Sequence, residues 1–110
     1  MNDKNAEEDP SFLLGKINRV IHEPGRLMIM AHLAVLDRAD FLFLKRQTGL
    51  TWGNLSAHIS KLEAVGYLDV EKEFVDKKPH TTLHLTDKGR TAFQTYRQRM
   101  KHVFEDVVPE

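Results

Sequence analysis

The stretch Leu50–Leu68, LTWGNLSAHISKLEAVGYL, decides the fold, because its hydrophobic period changes before it ends. Thr51 has the side chain of a good helix N-cap. Leu55, Ile59 and Leu62, continuing to Val65, then recur at three- and four-residue steps on one helical face until Gly66 stops the run. Beyond Gly66 the pattern turns to alternation. YLDVEKEFV alternates at Leu68, Val70 and the neighbourhood of Phe74, and HTTLHLT, ending at Thr86, alternates again. Between the two lies DKKP, a polar turn punctuated by Pro79, so the simplest arrangement is an antiparallel hairpin.

Upstream, FLFLKRQTG is a short helix with Gly49 where a left-handed C-cap is needed, which joins it tightly to the helix starting after Thr51. Asp37–Asp40 is a break. Before it, Pro24 suits the first turn of a helix through Leu36 whose Leu27, Met28, Ile29, Met30, Ala31, Leu33 and Val35 are too uniformly apolar for a surface helix. Phe12, Leu13, Ile17, Val20 and Ile21 mark a leading helix, capped by Ser11 and ending before Pro24. Residues 1–10 are expected to be a mobile acidic arm. Downstream, Thr86 or Asp87 caps a last helix carrying Phe93, Tyr96, Met100, Val103 and Val107 in one seam.

The fold class that follows is mainly α with a small β-hairpin, in the order α-α-α-α-β-β-α: a winged helix-turn-helix filling residues 11–108, with terminal helices available for dimerisation. The order is specific where each element alone is not. The motifs Gly53-Asn54-Leu55-Ser56, Leu62-Glu63, Gly66-Tyr67-Leu68 and Leu85-Thr86-Asp87-Lys88-Gly89-Arg90 resemble those of winged-helix regulators related to the MarR and ArsR families. The resemblance covers roughly residues 16–105 and implies double-stranded DNA binding, transcriptional control and a homodimer. Similar proteins often carry Arg at the position of His80 and a basic residue at that of Ala57, so the resemblance implies the fold but does not carry over affinity or sequence preference.

Composition agrees with one soluble domain: 110 residues, 41% hydrophobic and 29% charged, with no apolar run approaching the 18 or more residues of a spanning helix. The polar, acidic start lacks the pattern of a secretory signal, and with no cysteine in the chain the expectation is a cytoplasmic protein without disulfides or thiolate metal sites. The formal net charge is zero, but its distribution is uneven. Residues 1–10 hold one Lys against four acids and residues 101–110 one Lys against three, leaving fourteen Lys/Arg against nine acids in residues 11–100. A body with five surplus positive charges between acidic ends suits contact with a polyanion.

With Leu55, Ile59 and Leu62 facing the core, the opposite face of the helix over residues 51–65 shows Trp52, Gly53, Asn54, Ala57, His58 and Lys61, with Ser56 and Ser60 at its flanks and Thr51 at its start, and these are the expected DNA contacts. Asn54 suits adenine, Ala57 a thymine methyl, Lys61 phosphate or guanine, and His58 a base edge or phosphate. Trp52 either leans on the preceding helix or stays exposed for contact. Lys77, Lys78 and His80, in a wing over residues 75–80, suit phosphates or an adjoining minor groove. The seam Phe93, Tyr96, Met100, Val103 and Val107, packed with Leu13, Ile17 and Val20 against a two-fold copy, would space two such helices along DNA. The same side chains also suffice to cover the domain's own core.

Nothing in the sequence has the spacing of a catalytic or nucleotide-binding motif, and no cofactor or metal is expected. His80 and His84 fall on one strand face but about 13 Å apart, too far to share an ion. Two rivals share the fold: a winged helix joining a protein assembly, and a regulator whose helix seam admits a small-molecule effector.

Overall fold

The structure, a computed structural model, describes residues 14–107; the arm at residues 1–10, the Ser11 cap and Leu13 lie outside the described residues. Helices α1 (Pro24–Val35), α2 (Phe41–Thr48) and α3 (Trp52–Ala64) are followed by strands β2 (Leu68–Val75) and β3 (Lys78–Leu85) and by helix α4 (Asp87–His102). A π-helical turn, Val103–Val107, continues α4. A two-residue strand β1 (Ala39–Asp40) precedes α2 and pairs antiparallel with β3, so the sheet has three strands in the order β1-β3-β2.

Each helix begins where a side chain can take up its free amides. Glu23 caps α1 ahead of Pro24, Asp40 Oδ1 accepts from Phe43 N at 2.6 Å, Thr51 Oγ1 from Asn54 N at 3.1 Å and Thr86 Oγ1 from Gly89 N at 2.9 Å. Gly49 closes α2 with φ of 71°, a left-handed cap that suits glycine. One face of every element meets in a single core: Ile29, Met30 and Leu33 of α1, Leu44 of α2, Leu55, Ile59 and Leu62 of α3, Leu68, Leu83 and Leu85 of the hairpin, and Phe93 and Tyr96 of α4. Burial raises the Tyr96 phenol above its ordinary pKa, and its hydroxyl meets His22 Nδ1 at 2.8 Å.

Three expectations are corrected. The leading helix does not reach Pro24: helical backbone covers residues 14–16, and residues 17–23 are turns and bends. Asn18 Oδ1 there accepts from Val20 N at 3.0 Å and Ile21 N at 3.1 Å, a local closure that competes with the helical ladder. The break at Asp37–Asp40 contains β1, too short to show a period. The hairpin turn is only Asp76 and Lys77, with φ of 52° and 66°, while Lys78 and Pro79 already belong to β3 and pair with Val75 and Phe74. Pro79 is tolerated because β1 reaches only Thr82 and Leu83, leaving that end of β3 unpaired on its other side.

The turn after α3 is locked onto the start of α4. Thr86 N donates to Tyr67 O at 3.0 Å, and a Cβ at Gly89 would stand 1.9 Å from the same carbonyl oxygen. At Gly53 a Cβ would meet nothing within 4 Å. Gly89→Ala is therefore expected to destabilise the fold by ~2 kcal/mol or more, a fall in Tm on the order of 10 °C. Gly53→Ala, adding a methyl to an open helical position, is expected to raise stability by up to ~1 kcal/mol. Thermal unfolding followed by circular dichroism checks both, and shifts of the same sign would contradict the packing described.

Candidate nucleic-acid interface

The burial of α3 is one-sided. Leu55, Ile59 and Leu62 are in the core, whereas Thr51, Trp52, Gly53, Asn54, Ser56, Ala57, Ser60 and Lys61 are exposed. The side chains of Asn54, Ala57 and Lys61 make no hydrogen bond or ion pair among the described residues. Trp52 leans on the preceding helix and is still exposed: one face stacks on Phe41, with ring centroids 5.5 Å apart and planes within 2°, and the residue is 54% exposed. Lys45 Nζ lies 5.3 Å from the Trp52 ring centre, a cation–π distance.

His58 differs from its neighbours on α3. Its side chain is 21% exposed, its Nδ1 lies 3.2 Å from Arg26 Nη1, and its Nε2 lies 3.4 Å from Glu23 Oε2. The ring also covers Gly25, where a Cβ would come within 2.8 Å of Cδ2 and Nε2. These partners stand more than thirty residues away in sequence, and no local pattern announces them.

Strand alternation sorts the wing. Leu68 and Val70 of β2 and Leu83 and Leu85 of β3 turn inward, which places Lys72 and Phe74 on the inward row of β2 and Asp69, Glu71 and Glu73 on the outward one. On β3, Lys78, His80, Thr82 and His84 share the outward row, with His80 paired to Glu73 and His84 to Asp69. A cleft of about 590 Å³ runs between α3 and the sheet, lined by Ser56, Ser60, Lys72 and Thr81 with Phe41, Ile59, Val70 and Glu63. Ser60 is where the sequence put it, at the flank of the exposed face; Lys72 and Thr81 were missed by sequence reasoning, and counting in twos from Leu68 would have found Lys72. At the wing's root Arg38 Nη1 bonds Glu71 Oε2 at 2.6 Å, which holds the Glu71 carboxyl below the usual carboxylate range.

The seam expected on the last helix divides. Phe93 and Tyr96 are 8% and 6% exposed and belong to the chain's own core, and Ile17 and Val20 pack against that core half-buried. Met100 and Val103 are half-buried, Phe104 beside them is exposed, and Val107 closes the last turn. Met100 and Phe104 line an open groove of about 810 Å³ between α4 and the Leu27, Ala31 and Val35 flank of α1. Among the described residues no group of three or more His, Asp or Glu is arranged to hold a metal ion. No described helix is long and apolar enough to cross a membrane.

The chain matches the model of the winged helix DNA-binding domain over residues 26–104. It is 35% identical over 78 residues to an uncharacterised protein of Methanocaldococcus jannaschii, covering 71% of this chain and 85% of that one. The solved structure of a transcriptional regulator homologue from Pyrococcus horikoshii OT3 superposes with a TM-score of 0.82 at 29% identity, over 88% of this chain and 98% of the other. A MarR-family transcriptional regulator from Silicibacter pomeroyi shares the fold, with a TM-score of 0.57 at 19% identity over 88% of this chain and 67% of its own.

The tip of the wing is strained, since two residues with Cβ atoms sit at positive φ where a two-residue hairpin favours Asn-Gly or Asp-Gly. Lys77→Gly is expected to relieve roughly 1 kcal/mol of that strain. Slower amide hydrogen exchange across Phe74–Pro79 is the readout, and unchanged or faster exchange would refute it.

Proposed function

The chain belongs to the family of winged helix DNA-binding domains, and from that premise we propose that it binds specific sites on double-stranded DNA as a homodimeric transcriptional regulator. The observation that carries the reading is the one-sidedness of α3: three apolar anchors hold it while the opposite face presents Asn54, Ala57 and Lys61 with no partner among the described residues. A helix inserted in the major groove needs such small or bidentate side chains at base edges. Thr51, Trp52 and Ser56, at and after the amino end of α3, are suited to sugar and phosphate contacts alongside.

The cleft between α3 and the wing suits one strand of the sugar–phosphate backbone, since Ser56, Ser60 and Thr81 offer hydroxyls and Lys72 a charge. Glu63 at its edge opposes an anion and sets a limit to the path. Lys77 and Lys78 at the tip would meet phosphate or the neighbouring minor groove, with exposed Phe74 beside Pro79 as an apolar contact. His80, on the outward row opposite Glu73, sits where only a backbone phosphate outside the cleft would reach it.

For the dimer, Met100, Val103 and Phe104 with Val35 form the apolar surface left once Phe93 and Tyr96 are committed to the core; a second copy seated there would pair two α3 helices. The groove beside them favours this partner over solvent, and the same opening is where an effector would enter.

Selection of bound duplexes from a random pool, followed by titration at two salt concentrations, tests the reading; a two-fold symmetric motif with salt-sensitive binding is the expected result. Asn54→Ala should weaken the selected duplex by about 1–3 kcal/mol and spare random DNA. Lys72→Ala, Lys77→Ala and Lys78→Ala should weaken both and each lower the salt slope by about one. Failure to enrich any duplex with folded protein would turn the reading toward a protein-interaction module. Sedimentation of Met100→Glu should give half the mass of the unmutated chain; equal masses would remove the proposed interface.

A further inference from the structure

We propose that His58 is a positioning residue, not a base reader: it latches α3 to the first turn of α1 and so sets the angle at which α3 meets DNA. The inference rests on the reading of α3 as the DNA-reading helix, and adds to it a device that acts through residues remote from any base.

The chemistry of the three side chains decides the arrangement. An arginine guanidinium only donates, so the 3.2 Å contact with Arg26 Nη1 makes His58 Nδ1 the acceptor. The imidazole proton then sits on Nε2, facing Glu23 Oε2 at 3.4 Å. Nδ1 is thereby engaged and Nε2 lies beside the Glu23 carboxylate, so the ring is turned to α1 and away from a base edge. Their partners are fixed in turn. The Glu23 carboxylate caps α1, taking the amides of Gly25 and Arg26, and Arg26 Nε donates to Val20 O. Gly25 completes the latch by absence: a Cβ there would lie 2.8 Å from the ring and 3.0 Å from Glu23 Oε1, so the ring can lie in this position only across a glycine.

His58 lies one turn beyond Asn54 and beside Ala57 and Lys61. At about 1.5 Å of rise per residue, a tilt of roughly 10° pivoting on His58 moves Asn54 by about 1 Å, enough to spoil a bidentate bond to a base. The apolar anchors Leu55, Ile59 and Leu62 fix which face of α3 is buried; His58 adds a directional contact next to Asn54, on the side that the anchors leave exposed.

The experiment compares the unmutated chain with Gly25→Ala, His58→Ala, His58→Gln and the double variant Gly25→Ala/His58→Ala. Without DNA, the imidazole 15N resonances of the neutral ring in the unmutated chain should report the tautomer protonated at Nε2. In Gly25→Ala the ring must swing away, which should shift the amide resonances of residues 54–61. A ring protonated at Nδ1, or averaging freely, overturns the latch whether or not the protein binds DNA, so the two readings fail separately. On the selected duplex, Gly25→Ala and His58→Ala should each weaken binding about tenfold, with random DNA little affected. The double variant should be no weaker than either single one. His58→Gln, whose amide can accept from Arg26 and donate to Glu23, should recover most of the affinity. Loss in both His58 variants with Gly25→Ala unaffected would instead make His58 a direct DNA contact and overturn the proposal.

Discussion

Helix α3 depends on three side chains. Burial of Leu55, Ile59 and Leu62 is worth roughly 1.5–3 kcal/mol each, and these contacts with α1, α2 and the root of the hairpin are all that the core asks of thirteen residues. Apart from Trp52, which stacks on Phe41, and His58, which contacts the start of α1, the exposed face carries no packing duty. Its composition is open to selection for what it meets outside the molecule, which is why an exposed Trp, an unpaired Asn and a glycine can follow one another there without harm to the fold. The hairpin obeys the same economy: Leu68, Leu83 and Leu85 root it, and everything beyond Val70 on β2 is exposed.

Net neutrality conceals a segregation that strand geometry produces. Asp69, Glu71 and Glu73 occupy alternate positions, so a period of two turns all three to the outward face of the wing, while Lys72 between them turns toward α3. The acids are partly answered where they stand: Arg38 pairs with Glu71, and the His84 ring lies 3.4 Å from Asp69 and 3.9 Å from Glu71. Counting charge by segment finds the basic surplus of the body but not its direction. Direction comes from the pleat, and it leaves the cleft beside α3 with a cation and hydroxyls instead of carboxylates, Glu63 apart.

What the sequence made legible is what local rules govern. The three- and four-residue steps of Leu55, Ile59 and Leu62, the caps at Thr51 and Thr86 and the breaks at Gly49 and Gly66 all act within a turn or two of the chain. Residues 17–23 misled because Ile17, Val20 and Ile21 keep a helical spacing although the Asn18 side chain closes a turn beneath them; apolar period reports which side chains are buried, not which backbone carries them. β1 escaped because two residues have no period. The turn was set too long because Pro79 reads as punctuation, when an unpaired strand edge accepts it. Of the interface, the exposed face of α3 followed from its buried one. Lys72 and the engagement of His58 did not, since both depend on what a distant element places opposite.

Helix α1 connects these observations. Its interior residues Ile29, Met30 and Leu33 are fully buried, so its twelve residues shift as one body if they shift at all. Its first turn holds His58 through Glu23, Gly25 and Arg26, and its flank at Leu27, Ala31 and Val35 forms one wall of the groove against α4. A side chain entering that groove presses on the element that bears the latch. Because the core is close-packed, a displacement of α1 by a fraction of an ångström has nowhere to be absorbed between Leu27 and Arg26, adjacent residues of one helix. Such a shift would bear on the contact of His58 with Arg26, a hydrogen bond that tolerates less change in length than the apolar contacts around it. The side of the molecule that would meet a second copy and the side that would meet DNA are thus joined by a single rigid helix, with the more exacting contacts at the DNA end.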